Sequence, residues 1–141
     1  MIEPVKDNTK PVTFTKEDLA EFHRDAILTD NKGFQKVYNL PSPDGALRVV
    51  MKTRTGAEAS DANRRISNEK ISQAEVMEKL LTYNLVYALQ EINGKMYNTG
   101  TFEERLEIIQ KFPAPKMHLL WLVLTKFDEM CNMMRMSYEN F

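Results

Sequence analysis

Residues 112–124 read Phe-Pro-Ala-Pro-Lys-Met-His-Leu-Leu-Trp-Leu-Val-Leu. Two prolines spaced by one residue stop one helix and start another, with Pro115 in the first turn, where its missing N–H costs nothing. From Met117 to Leu124 every residue except His118 is apolar. A helix apolar all round is expected to be buried on every side. The run falls short of the roughly 18–20 residues a membrane span needs, so it reads as a central core or interface helix. That points to packing against a partner rather than to a reaction.

The chain has 141 residues, the size of one domain. A domain of that size buries about two-thirds of its unfolded surface. Lys and Arg total 19 against 20 acids, a net charge of -1, which argues against general polyanion binding. Cys131 is the sole cysteine. An internal disulfide is therefore excluded, and a reducing compartment fits. Met1-Ile2-Glu3-Pro4 has no apolar leader segment, so neither secretion nor membrane insertion is expected.

Working outward, residues 1–11 read as a polar arm with two prolines. Val12-Thr13-Phe14 suggests a short strand. Thr15 with Asp18 opens a short amphipathic helix carrying Leu19, Phe22 and Ala26, and Asp30-Asn31-Lys32-Gly33 ends it. A β-hairpin is expected next, with Phe34–Leu40 as first strand, 41–45 as loop and Ala46–Thr55 as second strand. In that second strand Leu47, Val49, Met51, Thr53 and Thr55 alternate with Arg48, Val50, Lys52 and Arg54. One face should be buried and the other solvated and basic.

From Ala57 onward the pattern reads as helical throughout. Residues 57–70 form a polar helix. Ser72 with Glu75 starts a helix with a broad apolar face, from Val76 and Met77 to Leu89, which Asn93-Gly94 should end. Thr101 with Glu104 starts a short helix bearing Phe102, Leu106, Ile109 and Phe112. The expected fold is α+β. An N-terminal β-hairpin with a short helix precedes a C-terminal bundle of three to four helices around the apolar helix. The parts are an arm at 1–11, a hairpin-containing part at 12–56 and a helical part at 57–141, forming a single domain.

Candidate chemistry is sparse. His23, His118 and Cys131 show no metal-ligand spacing, so no metal or other cofactor is expected. Cys131 sits among methionines, where burial raises a thiol's pKa and makes it inert. No serine elbow is present, and five scattered glycines make no phosphate loop. Glu103-Glu104 fall in a helix's first turn, where they offset its dipole. The sequence does not read as an enzyme.

Within 48–65, Arg48, Lys52, Arg54, Arg64 and Arg65 outnumber Glu58 and Asp61. Such a face can track phosphates, yet it carries no aromatic residue for base stacking. A solvated strand whose charges discourage aggregation explains it at least as well. Nucleic acid is thus not the expected partner. Methionine is abundant, nine in all, and Met117, Met130, Met133, Met134 and Met136 crowd the last helix. Methionine fills core gaps and makes adaptable contact surfaces. The expected partner-binding residues are Val12, Phe14, Arg48, Lys52, Arg54, Met130, Met133, Met134, Met136, Tyr138 and Phe141.

The order of parts resembles small tail proteins of tailed bacteriophages, those of the baseplate hub and tail assembly. The likeness spans roughly residues 34–135. It is carried by the alternating strand Leu47–Thr55 followed by Glu58, by a helix running toward Ile92-Asn93-Gly94, and by Phe112-Pro113-Ala114-Pro115 before an apolar helix. The resemblance implies a structural or assembly component without catalytic residues, made in the host cytoplasm and placed in the virion. Its partners would be other tail and baseplate proteins, the tape-measure protein and copies of itself. Two other readings stay open: a tail-assembly chaperone absent from the particle, and a small nucleic-acid-binding regulator using the basic 48–65 face.

Overall fold

A computed structural model of the chain describes residues 33–43 and 45–136. The expected arm, the strand at Val12–Phe14, the helix at Thr15, His23, Tyr138 and Phe141 lie outside the described residues.

The described chain is α+β. Strands β1 (Gln35–Ser42) and β2 (Gly45–Lys52) are followed by helices α1 (Gly56–Ser67) and α2 (Gln73–Ala88). Strands β3 (Leu89–Ile92) and β4 (Lys95–Met96) come next, then helices α3 (Phe102–Gln110) and α4 (Ala114–Met136). The four strands form one antiparallel sheet in the order β1-β2-β3-β4.

A first hairpin forms within the expected stretch, but β1 runs on to Ser42 and β2 begins at Gly45, so the loop is shorter than the expected 41–45, and β2 ends at Lys52 rather than Thr55. Thr55 is needed elsewhere: its hydroxyl accepts from the Glu58 N–H while Glu58 reaches back to the Thr55 N–H, a capping box that starts α1. The strand's exit is pinned by Thr53, whose N–H donates to the Phe34 carbonyl at 2.9 Å and whose hydroxyl accepts from the Phe34 N–H at 2.9 Å. Gly33 leads into that clasp at φ 81°, and a Cβ there would run into the Thr53 hydroxyl. Only glycine fits both constraints. On β2, Val49 and Met51 are buried as expected, yet Val50 is buried too. Val50 lies on an inner strand, opposite Val37 on one side and Glu91 on the other.

The second half is not wholly helical. Leu89–Ile92 was expected to continue α2 and instead pairs with β2. Asn93 and Gly94 have φ of 50° and 88°, the two successive positive values of a type I′ hairpin turn rather than of a helix stop. Asn93 is bound to β2 twice: its N–H donates to the Arg48 carbonyl, and its Oδ1 accepts from the Arg48 N–H at 2.7 Å. Gln90 is the extra residue at the irregularity beside Val50 and Met51, and its side-chain amide reaches the Ala88 carbonyl. The capping boxes at Ser72/Glu75 and Thr101/Glu104 are both present.

Helix α2 holds the fold together, touching α1, α3, α4, β2 and β3. The core runs from Val49 and Met51 on the sheet through Leu85, Val86 and Leu89 to Ile109, Leu120, Leu124 and Phe127. Helix α4 departs from expectation, since it is not buried on all sides. Met117, Leu120, Val123, Leu124, Phe127 and Met130 face the core, whereas His118 is exposed and Leu122 is 51 % exposed.

A polar network joins α1, α2 and α3. Asp61 accepts from Arg64, Arg65 and the Tyr87 hydroxyl. The Arg65 guanidinium lies 3.8 Å over the Phe102 ring, which Tyr83 and Tyr87 flank at 5.6 and 5.2 Å. Arg65, then Tyr87, hold the Asp61 carboxyl well below its ordinary value of 3.8. A carboxyl with a depressed folded-state pKa adds stability that is complete above its unfolded value and is lost as pH falls below it. Asp61→Asn is therefore expected to lower the melting temperature at neutral pH and to flatten the decline below about pH 4. Melting curves taken down the acid limb check this. A variant as acid-sensitive as the wild type would remove Asp61 from that role.

Candidate interaction surface

Helices α1, α2 and α4 enclose an open groove of about 880 Å³. Ala59 contributes from α1, Met77 and Leu81 from α2, and Asp128, Cys131 and Asn132 from α4. The lining is mainly apolar, and Met77 is 62 % exposed. Arg54 reaches the groove because the chain leaves β2 two residues earlier and turns into the Thr55 cap. Its Nη2 donates to Asp128 Oδ1 at 2.6 Å, while its Nη1 is buried without a hydrogen-bond partner. The Cys131 thiol is pushed up to about 12 by burial, with the Asp128 carboxylate adding to the effect. It stays protonated near neutral pH and acts as a small packing group.

On another side of the α2–α4 seam lies a smaller cleft of about 220 Å³, with Thr82, Gln110, Met117 and Trp121 among its walls. Trp121 is half-buried with its indole N–H unpartnered, and the exposed His118 ring lies 5.2 Å from it. His118 therefore belongs to the surface, not to the interior or to a ligand set. Among the described residues no three His, Cys, Asp or Glu side chains converge as a metal site would need.

The expected contact residues fall in different places. Met130 is 1 % exposed and packs in the chain's own core, so it cannot meet a partner. It lies on the same side of α4 as Phe127, which the core takes up. Met133 and Met136 are 54 % and 48 % exposed. Met134 lies on α4 with its side chain outside the described part. Val12, Phe14, Tyr138 and Phe141 lie outside the described residues.

The basic face is not a continuous strip. Arg48 pairs with Glu91, Arg54 turns away to Asp128, Arg64 pairs with Asp61, and Arg65 pairs with Asp61 and Glu103. Lys52 is half-buried at the end of β2. With carboxylates beside four of the five cations, little unbalanced positive potential is left to attract a polyanion.

No family model, curated protein or solved structure matches the chain. Among the described residues no helix is long and apolar enough to cross a membrane. Val37, Met77, Met96, Ile108 and Leu122 are exposed although the sequence reading singles out none of them as a surface residue. Met77 and Leu122 each sit inside an apolar run, and only their neighbours' burial reveals them as outward-facing.

Proposed function

We propose that this protein is a structural or assembly component of a tailed-phage virion, in the baseplate hub or tail tip near the tape-measure end. It acts by protein–protein contact, without catalysis or cofactor. The observation that carries the contact role is the open groove between α1, α2 and α4, with Met77 exposed in its wall and Met133 and Met136 exposed on α4. Flexible, polarisable methionines at an open apolar surface adapt to a partner's shape. Isolated apolar residues on a surface are ordinary, whereas an open apolar groove marks an interaction site.

The tail assignment rests on the order of parts, with the alternating strand, the acidic cap at Glu58 and the Phe112–Pro115 break all in sequence. The Ile92-Asn93-Gly94 element lies at the β3–β4 turn rather than at a helix end, so it lends the tail reading no support. Mass spectrometry of purified particles tests the reading. The expected result is the chain retained in mature virions alongside baseplate proteins. Its presence in infected-cell lysate but absence from particles would favour the assembly-chaperone alternative and overturn the virion assignment.

A further inference from the structure

Helix α4 carries a second apolar stripe that the fold does not use. Its core-facing residues include Leu120, Leu124 and Phe127. On the opposite side lie Leu119, Leu122, Lys126, Glu129, Met133 and Met136, spaced 3, 4, 3, 4 and 3 residues apart. That is the a/d spacing of a coiled-coil seam. Leu119 is half-buried, Leu122, Met133 and Met136 are about half exposed at 51, 54 and 48 %, and Lys126 and Glu129 are exposed. The stripe spans 18 residues, about 27 Å of helix.

The order of residues along this stripe is self-complementary. The point midway between Lys126 and Glu129 is also midway between Leu122 and Met133, and between Leu119 and Met136. We propose that this stripe pairs with the same stripe of a second copy of the chain, antiparallel, about a two-fold axis through that point. Lys126 then meets Glu129 of the other copy and Glu129 meets its Lys126. Leu122 meets Met133, and Leu119 meets Met136, at each end.

A parallel pair would set Lys126 against Lys126 and Glu129 against Glu129, and like charges facing each other repel. A slip of one heptad would leave the charged residues against leucine or methionine. The central charges thus select both orientation and register, as polar residues do at a and d positions, at some cost in strength. A near-zero net charge of -1 adds little long-range repulsion between copies. The pairing concerns α4 alone and does not depend on the virion assignment.

Sedimentation velocity of the isolated full chain, from micromolar to millimolar protein, tests the pairing. The wild type is expected to shift from monomer to dimer. Lys126→Glu and Glu129→Lys should each weaken dimerisation by about tenfold or more, and the double exchange Lys126→Glu/Glu129→Lys should restore it. All four residues concerned in the exchange and its apolar flanks are outward-facing, and circular dichroism checks that each variant keeps its helix content. In a Cys131→Ser background, Leu122→Cys chains mixed with Met133→Cys chains should cross-link, and neither should do so alone. A monomer at every concentration, single exchanges without effect, no rescue in the double exchange, or cross-linking of either cysteine variant with itself would overturn the proposal.

Discussion

Replacing Phe127 with alanine is expected to lower the unfolding free energy by about 3–5 kcal/mol. Phe127 is 1 % exposed, and its ring stacks on Phe34 at 6.3 Å with the planes 7° apart. Phe34 is in turn bound through both of its backbone groups to Thr53. Phe127 therefore ties α4 to the residue that opens the sheet. Its removal leaves a cavity beside the Phe34 ring, whose backbone the clasp with Thr53 holds in place. Urea unfolding checks this as a lower midpoint with an unchanged slope. A loss below about 1 kcal/mol would mean that the site collapses around the smaller side chain.

The second large effect is expected at Leu85, on α2. Leu85→Ala should cost about 2–5 kcal/mol, because the side chain is 0 % exposed in the helix that touches α1, α3, α4, β2 and β3. Trp121→Ala should cost less, under about 2 kcal/mol, since Trp121 is only half-buried and its indole N–H is unpartnered. The order of the two losses follows the burial of the two side chains. If Trp121→Ala proves the more damaging, Trp121 carries more of the packing than its half-exposed position gives it.

That order also marks what could be read from the residues. The α+β class, the first hairpin and the starts of α2 and α3 follow from local rules: strand alternation at Leu47–Met51 and capping boxes at Ser72/Glu75 and Thr101/Glu104. These need only neighbouring residues, so the sequence states them directly. Leu89–Ile92 was misread because Leu85, Val86, Ala88 and Leu89 continue a helical spacing, and a short apolar run fits either structure. What decides it is the hydrogen bonding of Asn93 to Arg48, a partner 45 residues away. Likewise, the apolar composition of α4 does not say how many faces a neighbour covers. Six of its residues are taken up by the chain's own core, and Leu122, Met133 and Met136 are left outside. The candidate groove was legible only in part: Arg54 was among the expected contact residues, but its approach to Asp128 spans 74 residues and obeys no local pattern.

Leu89 both caps α2, donating its N–H to the Leu85 carbonyl, and begins β3. The helix passes into the sheet without a spacer. One residue more at that joint has no slack to absorb it, because Gln90 beside it is already an extra residue in the β2–β3 pairing. It would turn α2 by about 100° relative to β3, or flip every β3 side chain to the opposite face. The 88–89 junction, with Ala88 and Leu89 both fully buried, is therefore a place where the chain cannot be lengthened.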